Sequence, residues 1–176
     1  FFKGNSLQEA ELINKFQSIS ETPLLISADF ERGTKMRLED GSLFPSNMAL
    51  GATRNPELAY LMGLQIAKEC KAIGVGQNYA PVADVNNNSL NPIINVRSYG
   101  EDPELVSVMA NNLIKGLQDG NIIATAKHFP GHGDTDIDSH SDLPVLNFSR
   151  ERLDNLELIP FKSAIKNNVM SIMIAH

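Results

Sequence analysis

Ile122-Ile123-Ala124-Thr125-Ala126-Lys127-His128 is a run of apolar and β-branched residues that stops on a lysine and a histidine. Residues 122–126 have strand length and deliver Lys127-His128, and they follow a helical pattern that closes near Gly120. The same figure recurs along the chain. Leu24-Leu25-Ile26-Ser27-Ala28 ends at Asp29, a strand over residues 76–82 leads to Ala83-Asp84, and a last strand over 169–175 ends at His176. Between these strands lie amphipathic helical stretches. Ser6 is placed to cap a helix over 7–19, with Leu7, Ala10, Leu12, Ile13 and Phe16 as its apolar stripe. Asn55 caps a second, with Pro56 at the first position and Gly74 after the last turn. Asp102-Pro103 opens a third, and Ser149 caps a fourth that Pro160 interrupts.

Alternating strands and helices mean a parallel sheet with helical cover. Two architectures meet that description, the doubly wound open sheet and the (β/α)8 barrel. An open sheet gathers its chemistry at one switch point, usually with a Gly-rich phosphate loop. No such loop follows any strand here. A barrel brings every strand's carboxyl end to one mouth, which suits four strands that all end in Asp, Lys or His. The expectation is a partial barrel, about half of a roughly 250-residue domain. The opening Phe1-Phe2-Lys3-Gly4 and the closing Ile172-Met173-Ile174-Ala175-His176 read as strands cut through, so residues 1–176 are expected to be part of one domain truncated at both ends.

Composition narrows the function. The net charge of −6, with 20% charged residues and no basic stripe, argues against nucleic-acid or anionic-membrane partners. No apolar run approaches the ~20 residues of a membrane span. A single cysteine, Cys70, excludes an internal disulfide, and its helical setting reads as a packed, inert thiol.

Past the lysine and histidine the chain continues Phe129-Pro130-Gly131-His132-Gly133-Asp134-Thr135-Asp136-Ile137-Asp138-Ser139-His140. Two glycines and a proline force irregular backbone, and a loop this dense in titratable groups after a strand suggests a site. Three readings stand side by side. An EF-hand is excluded, because counting from Asp134 the sixth residue is Ser139 and the twelfth is Val145. A zinc site on His132 and His140 lacks a supporting motif. A bland reading makes Asp134 and Asp136 solvated, self-capping residues. The third gives acid/base work to Asp138 and His140, since a carboxylate-polarised imidazole exchanges protons near neutral pH.

The segment from Lys127 to Thr135, with Asp138-Ser139-His140 and Leu143-Pro144, resembles the signature of glycoside hydrolase family 3, in particular its NagZ-type β-N-acetylglucosaminidase branch. Three more stretches agree in the family's order: Phe44-Pro45-Ser46-Asn47-Met48-Ala49-Leu50-Gly51-Ala52, Asn78-Tyr79-Ala80-Pro81-Val82-Ala83-Asp84-Val85-Asn86, and Arg97-Ser98-Tyr99-Gly100-Glu101-Asp102-Pro103. The resemblance implies retaining hydrolysis of a terminal β-linked N-acetylglucosamine, with no cofactor or metal. It implies His140 as acid/base with Asp138 as its partner, and a nucleophilic Asp beyond His176, without which the piece itself is not expected to turn over. It implies sugar contacts from Asp29, Arg37, Arg97, Lys127 and His128. Asp84 divides evenly between a structural and a functional role, His132 reads as a loop-ordering group, and the role of His176 stays open. One stretch departs from the family: Asp29-Phe30-Glu31-Arg32-Gly33-Thr34 stands where Asp-Gln-Glu-Gly-Gly-Arg is usual.

Alternatives remain at this point. They are another family 3 β-glycosidase, a phosphorylase using the same loop, and an inactive sugar-binding relative. The aglycone (a peptidoglycan fragment in bacterial recycling, or a chitin oligomer), the compartment (cytoplasmic or exported) and the oligomeric state are left open.

Overall fold

A computed structural model describes residues 3–134 and 148–175. Four strands, β1 (Ser27–Ala28), β2 (Gln77–Asn78), β3 (Ile123–Phe129) and β4 (Ser171–Ile174), lie side by side in chain order and all run parallel. A doubly wound sheet would reverse its strand order at a switch point. Consecutive order with helices between is a sector of a (β/α)8 barrel, as the strand endings imply.

The strands differ from expectation in length. β1 and β2 share only two rungs, although apolar residues begin earlier in both. Pro81 cannot donate, so β2 pairs with β1 no further. Its carbonyl side still serves β3: Thr125 donates to Ala80 O (2.9 Å) and Lys127 to Pro81 O (3.0 Å). β3 runs past Ala126 to Phe129, which places Lys127 and His128 inside the strand rather than after it. The Lys127–His128 peptide is cis.

The long helices follow their punctuation. α3 (Pro56–Ile73) is capped by Asn55, and Gly74 closes it in the left-handed region at φ 85°. α4 (Pro103–Asp119) is capped by Asp102. Two expectations need correction. α1 (Ser6–Ile19) is capped by Asn5, whose side chain accepts from the Gln8 amide (2.9 Å). Ser6 lies in the first turn instead and binds the Asp40 carboxylate through its hydroxyl (2.6 Å) and amide (2.9 Å). The fourth helical stretch breaks at Leu156-Glu157, giving α5 (Arg150–Asn155, capped by Ser149) and α6 (Leu158–Lys166). Pro160 falls in the first turn of α6, where a missing N–H leaves no helical bond unmade. A six-residue helix, α2 (Asn47–Ala52) with Ser46 as cap, has no counterpart in the sequence reading.

α3 and α4 touch backbone to backbone. A Cβ on Gly116 would stand 2.2 Å from the Tyr60 carbonyl oxygen, and one on Gly63 would stand 2.7 Å from that of Leu113. Beside this crossing Ile66, Met109, Leu113, Leu117 and Ile122 are buried. So is Cys70, whose thiol burial pushes up to about 12, with the Glu69 charge adding to the effect. The expected inert thiol is observed. Burial fails on the flanks: Leu7, Phe16 and Ile19 of α1, and Ile165, Met170 and Ile174 around β4, are exposed. No helix among the described residues is long and apolar enough to cross a membrane.

Candidate active site

The residue after β1 is Asp29, and Glu31 follows two positions on. Asn78, fully buried on β2, fixes this exit. Its side chain accepts from the Phe30 amide (3.0 Å) and donates to the Phe30 carbonyl (3.2 Å), doing with a side chain what a ladder would do with backbone. Alternate residues of extended chain share a face, so both carboxylates are offered together.

Lys127, on β3, comes between them. Its Nζ lies 2.7 Å from Asp29 Oδ1 and 2.9 Å from Glu31 Oε1. Arg97 grips the other side of Glu31 with two bonds, Nε to Oε2 (3.0 Å) and Nη2 to Oε1 (2.6 Å). Arg97 ends a short 3-10 turn, Asn95–Arg97. That turn is held from behind, because Asn91 accepts from the amides of Ile93 and Ile94 (2.8 and 2.7 Å), and Asn47 donates to Arg97 O (2.7 Å). Two acids and two bases thus neutralise one another in a mostly buried cluster, which is what makes its burial tolerable. Burial alone would push the Glu31 carboxyl up. The Arg97 bonds and the charges of Lys127 and Arg97 outweigh it and hold Glu31 at about 2. Burial works against the Arg97 charge as well, yet Glu31 raises the guanidinium above its usual range.

Asp84 forms the second anchor. It is completely buried and accepts the amides of His128 (3.2 Å) and His132 (2.7 Å), and it meets His128 Nδ1 at 2.7 Å. With the Asp84 carboxylate as acceptor, the network assigns the proton of this bond to Nδ1. Asp84 therefore bonds loop amides and orients a side chain at once. His132 is buried, its amide on Asp84 and its carbonyl on Asn91 (2.8 Å). Both bonds are made by its backbone. Gly133 lets the chain press on the neighbouring loop: a Cβ there would stand 1.7 Å from Val85 O.

A cavity of about 700 Å³ lies at the carboxyl ends of the strands, with Glu31 and His132 in its lining and Asp84 buried outside it. Asp29, Arg37, Arg97, Lys127 and His128 all border it. They contribute unequally. The side chains of Asp29 and Arg97 keep 36% and 31% of their exposure, whereas Lys127 keeps 3%. Lys127 spends two of its three donors on carboxylates. Asp138 and His140 lie outside the described residues, as do Asp136 and His176. Asp134 is not the solvated residue expected, since it forms an ion pair with Arg152. Glu31 was missed as a site residue, although its position two residues from Asp29 is the signal that places it on the same face. Among the described residues no group of three or more His, Cys, Asp and Glu side chains could hold a metal ion.

Consecutive βα units with a charged cavity over the strand ends define a barrel domain that works at its mouth. The chain belongs to glycosyl hydrolase family 3, whose N-terminal domain matches residues 3–176. It is 38% identical to β-hexosaminidase A of Pseudoalteromonas piscicida, over 98% of this chain and 29% of that one. Among solved structures it is similar to a family 3 β-N-acetylglucosaminidase from Paenibacillus sp. str. FPU-7, with a TM-score of 0.95 and 47% identity over 100% of this chain and 35% of that one. It is also similar to a β-glucoside phosphorylase, BglX, with a TM-score of 0.94 and 32% identity over 98% of this chain and 32% of that one. The chain spans about a third of the length of each of these relatives.

Proposed function

We propose that the protein containing this chain removes terminal β-linked N-acetylglucosamine with retention of configuration. The observation that carries the reading is the cavity itself. Asp29, Arg97 and His128 border a space within the range of small-ligand sites, with donors and acceptors fixed by buried partners. A pyranose presents hydroxyls that both give and take hydrogen bonds. Asp29 accepts from such a pair, while Arg97 and Lys127 donate. The relatives named as acting on N-acetylglucosamine or hexosamine supply the sugar.

In this reading His140 protonates the leaving oxygen while an Asp beyond His176 attacks the anomeric carbon. His140 then takes a proton from water as the glycosyl-enzyme is hydrolysed. Asp138 holds the imidazole in the tautomer that both steps need. The natural aglycone is a peptidoglycan fragment or a chitin oligomer.

The test uses the full-length protein on aryl β-N-acetylglucosaminide and aryl β-glucoside, with His140→Ala alongside. Preference for the N-acetyl sugar, and a loss of roughly 10²–10⁴-fold in the variant, are expected. A preference for glucoside with an unaffected variant would falsify both the substrate and the acid/base assignment. No turnover of either substrate leaves a sugar-binding module. The phosphorylase relative favours a second reading, because a neutral imidazole does not repel an incoming anion as a carboxylate would. Formation of a sugar 1-phosphate when inorganic phosphate is added, in place of free sugar, decides for it.

A further inference from the structure

Glu31 belongs to the lining of the cavity, yet its side chain keeps only 9% of its exposure. It faces the protein more than a ligand, and it holds two of the cations that border the cavity, Arg97 and Lys127. Its own backbone is set by the Asn78 side chain, which bonds both polar groups of the preceding Phe30. The two bonds from Arg97 Nε and Nη2 form a fork, and a fork fixes the plane of a guanidinium as well as its distance. Arg97 Nη1 donates to Ile93 O (3.1 Å) on the other side. Asp29 is a second carboxylate, close enough for its charge to be felt at Arg97. Among the described residues Arg97 nevertheless bonds Glu31 and not Asp29. Two cations are therefore shared between two acids. With Asp29 alone to meet them, both would compete for the oxygens of the more exposed carboxylate.

We propose that Glu31 is a positioning residue for sugar recognition: it fixes the guanidinium plane of Arg97 and keeps Arg97 off Asp29, so that a donor and an acceptor both stay presented to a neutral pyranose. The proposal rests on the sugar-site reading of Asp29 and Arg97 given above. Arginine has a long, rotamer-rich stem, and a ligand that must order it binds less tightly than one that finds it already ordered. Glu31 does this ordering through Arg97, without contact to the sugar.

The experiment is a double-mutant cycle on the full-length protein. It measures the Kd of N-acetylglucosamine by calorimetric titration, at a temperature where circular dichroism shows every variant folded. Arg97→Met is expected to weaken binding about 10–100-fold. Glu31→Gln is expected to weaken it about 3–10-fold when Arg97 is present. Added to Arg97→Met, the same change is expected to cost less than about twofold, because a residue that acts through Arg97 then has nothing to act on. Glu31→Asp keeps the charge but withdraws the carboxylate by one methylene from the fork. It is expected to move binding in the same direction by less, again only with Arg97 present, and it serves if Glu31→Gln does not fold. Equal losses in both backgrounds, as a merely structural role would give, or no loss in either, overturn the proposal. If the wild type does not bind N-acetylglucosamine, or Arg97→Met binds it as tightly as the wild type, the sugar-site reading fails and the proposal falls with it. If Arg97→Met weakens binding and the Glu31 variants do not, only the role of Glu31 fails.

Discussion

Glu31 carries the clearest consequence of a single side chain. Its carboxyl lies at about 2 in the folded chain against 4.5 in the absence of partners. The stabilisation is present in full above pH 4.5 and is lost as pH falls towards 2. It amounts to about 3 kcal/mol at neutral pH. Glu31→Gln should therefore lower the melting temperature at pH 7, and its melting temperature should fall less than that of the wild type between pH 4.5 and 2. Parallel curves across that range would show that Glu31 is not held by its cations. Cys70 offers a simpler check. A thiol at about 12 should ignore a thiol reagent at pH 8 until denaturant is added, and rapid labelling of the native chain would contradict its burial. Asp29, Arg97, Lys127 and His128 were legible because each stands in a recognisable stretch. Glu31 was missed: its spacing from Asp29 was there to read, but its partner Arg97 lies 66 residues away, and a sequence shows which groups are charged without showing which ones meet.

Helix ends were legible where a cap, a proline and a glycine coincide, as at Asn55, Pro56 and Gly74. They were less so where two capping residues stand together, as at Asn5 and Ser6, and a six-residue helix such as α2 has too few turns to show a period. The ends of β1 and β2 were misjudged for a different reason. Apolar runs report burial, whereas a ladder stops where a donor is missing, and Pro81 supplies that stop. At the α3–α4 crossing two effects oppose each other. Alanine in place of Gly116 gains about 1 kcal/mol of helix propensity. Its Cβ would fall 2.2 Å from Tyr60 O, and forcing the helices apart costs about 1–3 kcal/mol. Gly116→Ala is expected to lower stability in a denaturant titration. A gain would mean that the helices separate freely.

Taken whole, the four strands and their helices leave apolar residues exposed on both flanks, Leu7, Phe16 and Ile19 at one and Ile165, Met170 and Ile174 at the other. β1 and β4 are the outer strands of the described sheet, and neither has a partner strand on its outer edge among the described residues. The 176-residue polypeptide on its own is expected to bind a hydrophobic dye and to self-associate in light scattering. A monodisperse, dye-negative sample would show that these flanks are covered. The barrel class was legible because strand endings repeat, but the flanks were not, since an amphipathic stripe on α1 does not show what lies against it. The site, by contrast, is tied deep into the sheet. Phe30 belongs to no strand, yet its amide proton is buried and bonded to the Asn78 side chain, so solvent reaches it only if β1 and β2 come apart. In a deuterium-exchange experiment that one proton should trade as slowly as those of the sheet, and its clock would time the opening of the cavity's floor rather than the fraying of a loop.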